Sequence, residues 1–140
     1  MTMALHQIVR EAMVPEPTTL GDDASAQEAG TVFAKSPDVR AVFVCEDDGR
    51  LVGVVTRKTL VREVVAAGLE PRSVKLRDIA EPPIFTLDAE LPLDEAFRTL
   101  EERDLERVPV VEDDRLVGVL SRAVVQRRLA EDEPPEPALN

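Results

Sequence analysis

Two short stretches set a hydroxyl directly before cations, Thr56-Arg57-Lys58 and Ser121-Arg122. A hydroxyl beside a guanidinium or an ammonium can hold an anion, above all a phosphate, whose oxygens accept from both kinds of donor. Other residues able to do chemistry are sparse. Cys45 ends an apolar run next to Glu46, with no basic neighbour to lower its pKa, so a buried small hydrophobe is expected there. His6 is the single histidine, so neither a His-based catalytic dyad nor a His-based metal site can be assembled within one chain. The acidic clusters Glu46-Asp47-Asp48 and Glu112-Asp113-Asp114 fall between apolar runs and are expected to be solvated hairpin tips rather than a cation site. Neither G-x-x-x-x-G-K-[ST] nor G-x-G-x-x-G is present.

The two hydroxyls occupy equivalent places in a repeat. Arg50–Leu60, RLVGVVTRKTL, returns 65 positions later as Arg115–Val125, RLVGVLSRAVV. Upstream the correspondence continues at a spacing of 67, pairing Pro15 with Pro82, Glu28-Ala29 with Glu95-Ala96 and Arg40 with Arg107. The change of spacing falls at the acidic turns, where loops tolerate a difference in length. Each hydroxyl thus lies at the end of an apolar strand and the start of a helix, a junction that also wants a cap.

The elements around these junctions follow from periodicity and punctuation. Ile8–Met13 reads as a short helix stopped by Pro15, and Thr18–Leu20 as a brief extended piece. Ser25 with Glu28 forms a capping box for a helix over Ala26–Lys35. Ala41–Cys45 is a strand apolar on both faces, Asp47-Asp48-Gly49 a hairpin, and Leu51–Thr56 the returning strand. Arg57–Ala67 reads as a helix with Leu60, Val61, Val64 and Val65 on one stripe, closed by Gly68. The second copy repeats the order: helix Leu76–Ala80, extended Ile84–Leu87, helix Leu93–Glu102 after Pro92, strands Val108–Val111 and Leu116–Ser121, and helix Arg122–Ala130. The expected fold is α+β, two β-α-β-β-α units at residues 8–70 and 75–130 packed with pseudo-twofold symmetry, followed by an acidic disordered tail at 131–140.

The bulk numbers exclude several functions. Of 140 residues 44% are apolar and 32% charged, with a net charge of −11. Glu131, Asp132, Glu133 and Glu136 contribute −4 of that, leaving −11 − (−4) = −7 on the rest. An acidic surface argues against nucleic acid, which selects a basic face. With no Trp or Tyr and only four Phe, stacking platforms for single strands are missing as well. No apolar run is long enough for a membrane span, and the start lacks a secretory apolar core. One cysteine forms no internal disulfide, so a reducing, cytoplasmic setting is expected.

Two ordered copies of apolar strand, acidic turn, (R)LVG, two apolar residues, Thr or Ser, Arg and helix resemble a pair of cystathionine-β-synthase-type (CBS) domains, the Bateman module. Met13-Val-Pro-Glu-Pro is similar to that family's Met-Thr-Pro lead-in, and Arg107-Val-Pro-Val-Val to its middle strand. The resemblance implies a non-enzymatic regulatory module that requires no cofactor. It would bind an adenosine-type ligand (AMP, ADP, ATP or S-adenosylmethionine) in clefts between the two halves. Carried over residue by residue, Thr56, Arg57 and Lys58 belong at the phosphate end of the first site, with Thr18, Arg40 and Ala41 at its base end. In the second copy the counterparts are Ser121 and Arg122, with Ile84, Arg107, Val108 and Pro109 walling the base. The family's ribose-binding acid is replaced by Thr59 and by Val124. Thr59 offers a hydrogen bond where Val124 offers none, so the first site is expected to be the competent one. The alternative reading is a ligand-free dimerisation or scaffold module. Either way a homodimer through the helix stripes and an unidentified regulated protein are expected as partners, with no nucleic acid and no membrane.

Overall fold

Capping chemistry starts the longest helix of the first repeat where the spacing predicts it. In the computed structural model, which describes residues 7–15, 17–83 and 85–132, the Ser25 hydroxyl accepts from the Glu28 amide at 3.2 Å. The Glu28 carboxylate in return accepts from the Ser25 amide at 2.7 Å. His6, Ile84 and residues 133–140 of the expected tail lie outside the described residues.

In chain order the elements are α1 (Val9–Ala12), β1 (Val14–Pro15), β2 (Thr19–Gly21), α2 (Ala26–Lys35), β3 (Val42–Cys45), β4 (Leu51–Val55) and α3 (Arg57–Leu60). The helix then passes into a π turn at Val61–Val65, and a 3-10 turn follows at Pro71–Ser73. After these come α4 (Leu76–Ile79), β5 (Leu87–Asp88), α5 (Leu93–Glu102), β6 (Arg107–Glu112), β7 (Arg115–Ser121) and α6 (Arg122–Asp132). The fold is α+β. Strands β2-β3-β4 form one sheet, β2 parallel and β4 antiparallel to β3. The other sheet has the order β1-β7-β6-β5, with β5 parallel to β6.

The chain divides into two compact units. The first comprises the described residues of Glu16–Ile84 together with Asp113–Leu116. The second comprises those of Met1–Pro15 with Phe85–Glu112 and Val117–Asn140. The lead-in segments are therefore exchanged relative to the sequence repeats. Helix α4, which opens the second repeat, buries Leu76 in the core of the first unit with Phe33, Val42, Val44 and Val55. Helix α1, which opens the first repeat, buries Val9 in the core of the second unit with Leu93, Leu100, Leu120 and Val125.

Within each unit the lead-in chain crosses a glycine of the LVG motif. Val54 and Glu81 exchange backbone bonds of 2.8 and 2.9 Å, and β1 pairs with β7 with Val14 opposite Val119. A β-carbon on Gly53 would lie 2.6 Å from the Glu81 carbonyl oxygen, and one on Gly118 2.8 Å from that of Val14. Glycine is required here by close approach, not by φ.

The helix expected over Arg57–Ala67 is interrupted. The Ala66 amide donates to Val61 O at 2.8 Å, the longer reach of a π turn, and the Leu69 amide donates to Val64 O at 3.0 Å as the segment is capped at Gly68. The wider turn splits the stripe: Val64 is buried, whereas Val61 and Val65 are 58% and 70% exposed. Gly68 closes the segment at φ +72. At the other end of the chain, α6 runs to Asp132, two residues into the stretch expected to be tail.

All four residues of β3 are buried. Cys45 is among them, and burial pushes its thiol pKa up. A thiol reagent is expected to modify Cys45 far more slowly in the native protein than in urea, and equal rates would show the thiol to be open.

Candidate functional site

Strand β4 hands the chain to α3 at Thr56, whose extended backbone makes it the cap residue. The Thr56 hydroxyl accepts from the Thr59 amide at 3.2 Å, and the Thr59 hydroxyl accepts from the Thr56 amide at 3.0 Å. The two hydroxyl oxygens are 3.0 Å apart. Thr59 is 1% exposed, so the residue at the position of the missing acid lies under the helix start. Thr56 itself is half-buried.

Arg57 turns back toward the end of α2. Its guanidinium donates to the carbonyls of Val39 at 2.8 Å, Phe33 at 3.1 Å and Pro37 at 3.3 Å, and lies 4.8 Å from the centre of the Phe33 ring. These bonds satisfy carbonyls at a helix C-terminus and in the loop that leads to Arg40 and Ala41. Lys58 is exposed and has no ion-pair partner among the described residues. Arg40 is exposed and Ala41 half-buried just before β3, and the carbonyl of the exposed Thr18 accepts from the Phe43 amide at 2.9 Å. All these residues belong to the first unit.

The second repeat builds the same latch with different charge. Arg122 donates to the Leu100 carbonyl at 3.5 Å, to the Asp104 carboxylate at 3.4 Å and to the Glu106 carboxylate. Leu100, Asp104 and Glu106 stand 67 positions after Phe33, Pro37 and Val39. Two carboxylates thus neutralise Arg122, whereas Arg57 is held by three uncharged carbonyls. Ser121 is half-buried, Arg107 exposed, and Val108 and Pro109 buried, Val108 inside the core of the second unit. Ile84 lies outside the described residues. The latch was not foreseen from sequence. The signal for it was the arginine repeated after each hydroxyl, 24 residues after Phe33 in the first copy and 22 after Leu100 in the second.

A groove of about 330 Å³ also opens in the first unit, lined by Ala26, Gly30 and Ala34 of α2 and by Leu60, Val64 and Val65. Its floor is Gly30, whose repeat counterpart Phe97 packs against the core of the second unit.

Among the described residues no group of three His, Cys, Asp or Glu side chains is placed to hold a metal ion. Among them, too, no helix is long and apolar enough to cross a membrane.

Comparison with known proteins agrees with the repeat. The family model described as the CBS domain matches twice, over residues 9–66 and 76–131. Hypoxic response protein 1 of Mycobacterium tuberculosis is 32% identical over 122 residues, covering 87% of this chain and 85% of the relative. The crystal structure of Hypoxic Response Protein I with two coordinated zinc ions is 30% identical with a TM-score of 0.74, covering 87% of this chain and 98% of that one. CBSX2 in complex with AMP shares the fold at 24% identity and a TM-score of 0.68, over 89% of this chain and 96% of that one. The CBS domain pair of MJ0100 in complex with 5-methylthioadenosine and S-adenosyl-L-methionine does so at 20% identity and 0.65, over 91% and 98%.

Proposed function

The chain belongs to the CBS-domain family as a tandem pair, and from that premise we propose that it is a regulatory module binding an adenosine-type ligand at the Thr56–Lys58 junction. The ligand is AMP, ADP, ATP or S-adenosylmethionine, with AMP and ATP the first to test. One observation carries the choice of site: in a chain of net charge −11, Arg57 and Lys58 form no ion pair among the described residues, whereas Arg122 is paired with Asp104 and Glu106. Thr56 and Lys58 face the phosphate in this reading, and Thr18, Arg40 and Ala41 face the base. Ser121, Arg122, Ile84, Arg107, Val108 and Pro109 make the weaker counterpart. Two proteins of the same fold have adenosine compounds bound, CBSX2 with AMP and MJ0100 with 5-methylthioadenosine and S-adenosyl-L-methionine. The module acts without catalysis, in the cytoplasm, by altering how it docks with a regulated protein.

Calorimetric titration of AMP and ATP tests this. Thr56→Val should weaken binding about tenfold, the loss expected for one hydrogen bond to a charged group. No binding by the wild-type protein at millimolar ligand would hand the case to the scaffold reading. Burial of Thr59 and the presence of Val124 in place of acids favour that alternative.

We also propose that the chain is a homodimer whose contact uses the Gly30 groove and the exposed Val61 and Val65 beside it. An apolar surface of this kind calls for cover. Light scattering at micromolar concentration should give twice the chain mass, and Val65→Glu should return it to one. A monomeric wild type defeats the assignment.

A further inference from the structure

The open groove of the first unit has no twin in the second repeat. Gly30, Val61 and Val65 correspond there to Phe97, Gln126 and Ala130, a core-packed ring and two residues without a large apolar side chain. Charge changes in the same direction. Lys35 stands where the second repeat has Glu102, and Ala34 and Gln27 where it has Glu101 and Asp94. Only Thr31, which corresponds to Arg98, runs the other way.

The rim of the groove carries cations that are open to a partner. Arg72 follows the lining residue Pro71, and its Nε donates to the Oε1 of Gln27, another lining residue, at 2.6 Å. Lys35 follows the lining residue Ala34. Both are exposed, and neither has an ion-pair partner among the described residues. Nearby carboxylates are engaged. Glu28 accepts from the Ser25 amide at 2.7 Å, Glu63 from the Arg62 guanidinium at 3.1 Å, and Glu70 from the Arg72 amide at 3.3 Å. Val61, Val65 and Leu69 stand exposed on the same segment. An apolar hollow edged by cations selects an occupant that is both apolar and acidic.

The chain carries such a sequence. Residues 133–140, outside the described residues, read EPPEPALN, with two acids, no cation, three prolines and the apolar pair Ala138-Leu139. They follow α6, in the unit that does not hold the groove. Prolines favour an extended form that loses little freedom on docking, and eight residues of it span about 25 Å. We propose that the groove seats residues 133–140 of a second copy of the chain. The apolar end lies in the hollow over Gly30, and Glu133 and Glu136 face the Arg72 and Lys35 rim. The inference deepens the proposed homodimer and rests on that reading, since the copy that covers the groove supplies the segment.

Charge reversal in the full chain tests it, with mass read by light scattering across a dilution series. Glu133→Arg with Glu136→Arg reverses the segment, and Lys35→Glu with Arg72→Glu reverses the rim. Each double variant alone should raise the dimer dissociation constant about tenfold, and Gly30→Phe, which fills the hollow, should do the same. Arg98→Glu, on the corresponding helix of the second unit, should leave the constant unchanged. The decisive step mixes the two double variants. Each segment then meets a rim of opposite charge, so the mixture should regain the wild-type constant. Recovery also shows that neither variant had merely failed to fold. A mixture no tighter than its components overturns the proposal, because a segment docked on its own chain gains nothing from mixing. A wild-type dimer that segment reversal leaves intact overturns it too, while the homodimer reading stands. A monomeric wild type defeats both.

Discussion

Replacing Gly53 by alanine is expected to lower the melting temperature by roughly 5–15 degrees, the equivalent of about 1–3 kcal/mol of overpacking in units of this size. The added β-carbon would sit 2.6 Å from the Glu81 carbonyl oxygen and 3.0 Å from both the Glu81 carbonyl carbon and the Ala80 β-carbon. None of these atoms is the far end of a flexible side chain. The chain at Glu81 is also pinned, because it exchanges two backbone bonds with Val54, the residue next to the substitution. Gly118→Ala should destabilise too, but less. Its nearest atom is the Met13 sulfur at 2.6 Å, which can swing aside, although the Val14 carbonyl oxygen at 2.8 Å cannot. Gly21→Ala is the control, since a β-carbon there meets nothing within 4 Å and Gly21 lies outside the proposed dimer contact. Thermal unfolding of the three variants checks the order. A Gly53→Ala protein that melts with the wild type would mean that the lead-in chain does not cross so closely.

The repeated LVG was visible in the sequence, and so was the fold class, because an apolar strand, an acidic turn and a second strand leave a periodic mark twice. Local chemistry was equally legible. The Ser25–Glu28 box and the positive φ of Gly49 are both decided within a few residues, and the structure has both. What escaped was set at longer range. The LVG glycines do not announce which segment crosses them. The exchange of lead-in segments is a choice between two similar halves, each offering a glycine and an apolar pocket. The π turn at Val61–Val65 escaped for a different reason. Leu60, Val61, Val64 and Val65 fit an α-helical stripe, and the core has room for Val64 while Val61 and Val65 stay outside. In the candidate site the hydroxyls and cations were legible as a motif, but their partners were not. Arg57 reads as an anion ligand until the carbonyls of Phe33, Pro37 and Val39 are seen to hold it, and Thr59 reads as a ribose contact until its burial is known.

Arg57→Ala should lower stability by about 1–3 kcal/mol, since it removes a charged donor from three carbonyls together with its stacking on Phe33. Arg122→Ala should have an effect of similar size, yet the two variants should part company in salt. Arg122 is held largely by Asp104 and Glu106, whose side chains are 91% and 70% exposed, and exposed ion pairs are screened. Arg57 is held by dipoles, not by opposite charges, and its bonds should be less sensitive to ionic strength. Raising sodium chloride from about 0.05 to 1 M, which shortens the screening length several-fold, should therefore shrink the melting-point gap between wild type and Arg122→Ala. The gap for Arg57→Ala should persist. Arg57→Lys should recover only part of the loss, because one ammonium cannot reproduce a planar fork that spans three acceptors. Arg57→Ala should also loosen the loop before Arg40 and Ala41, so that amide exchange over residues 38–41 quickens while α2 stays protected. Unchanged exchange in that loop, or a gap that closes with salt as it does for Arg122→Ala, would show that Arg57 is not the fastening that joins the two ends of the proposed site.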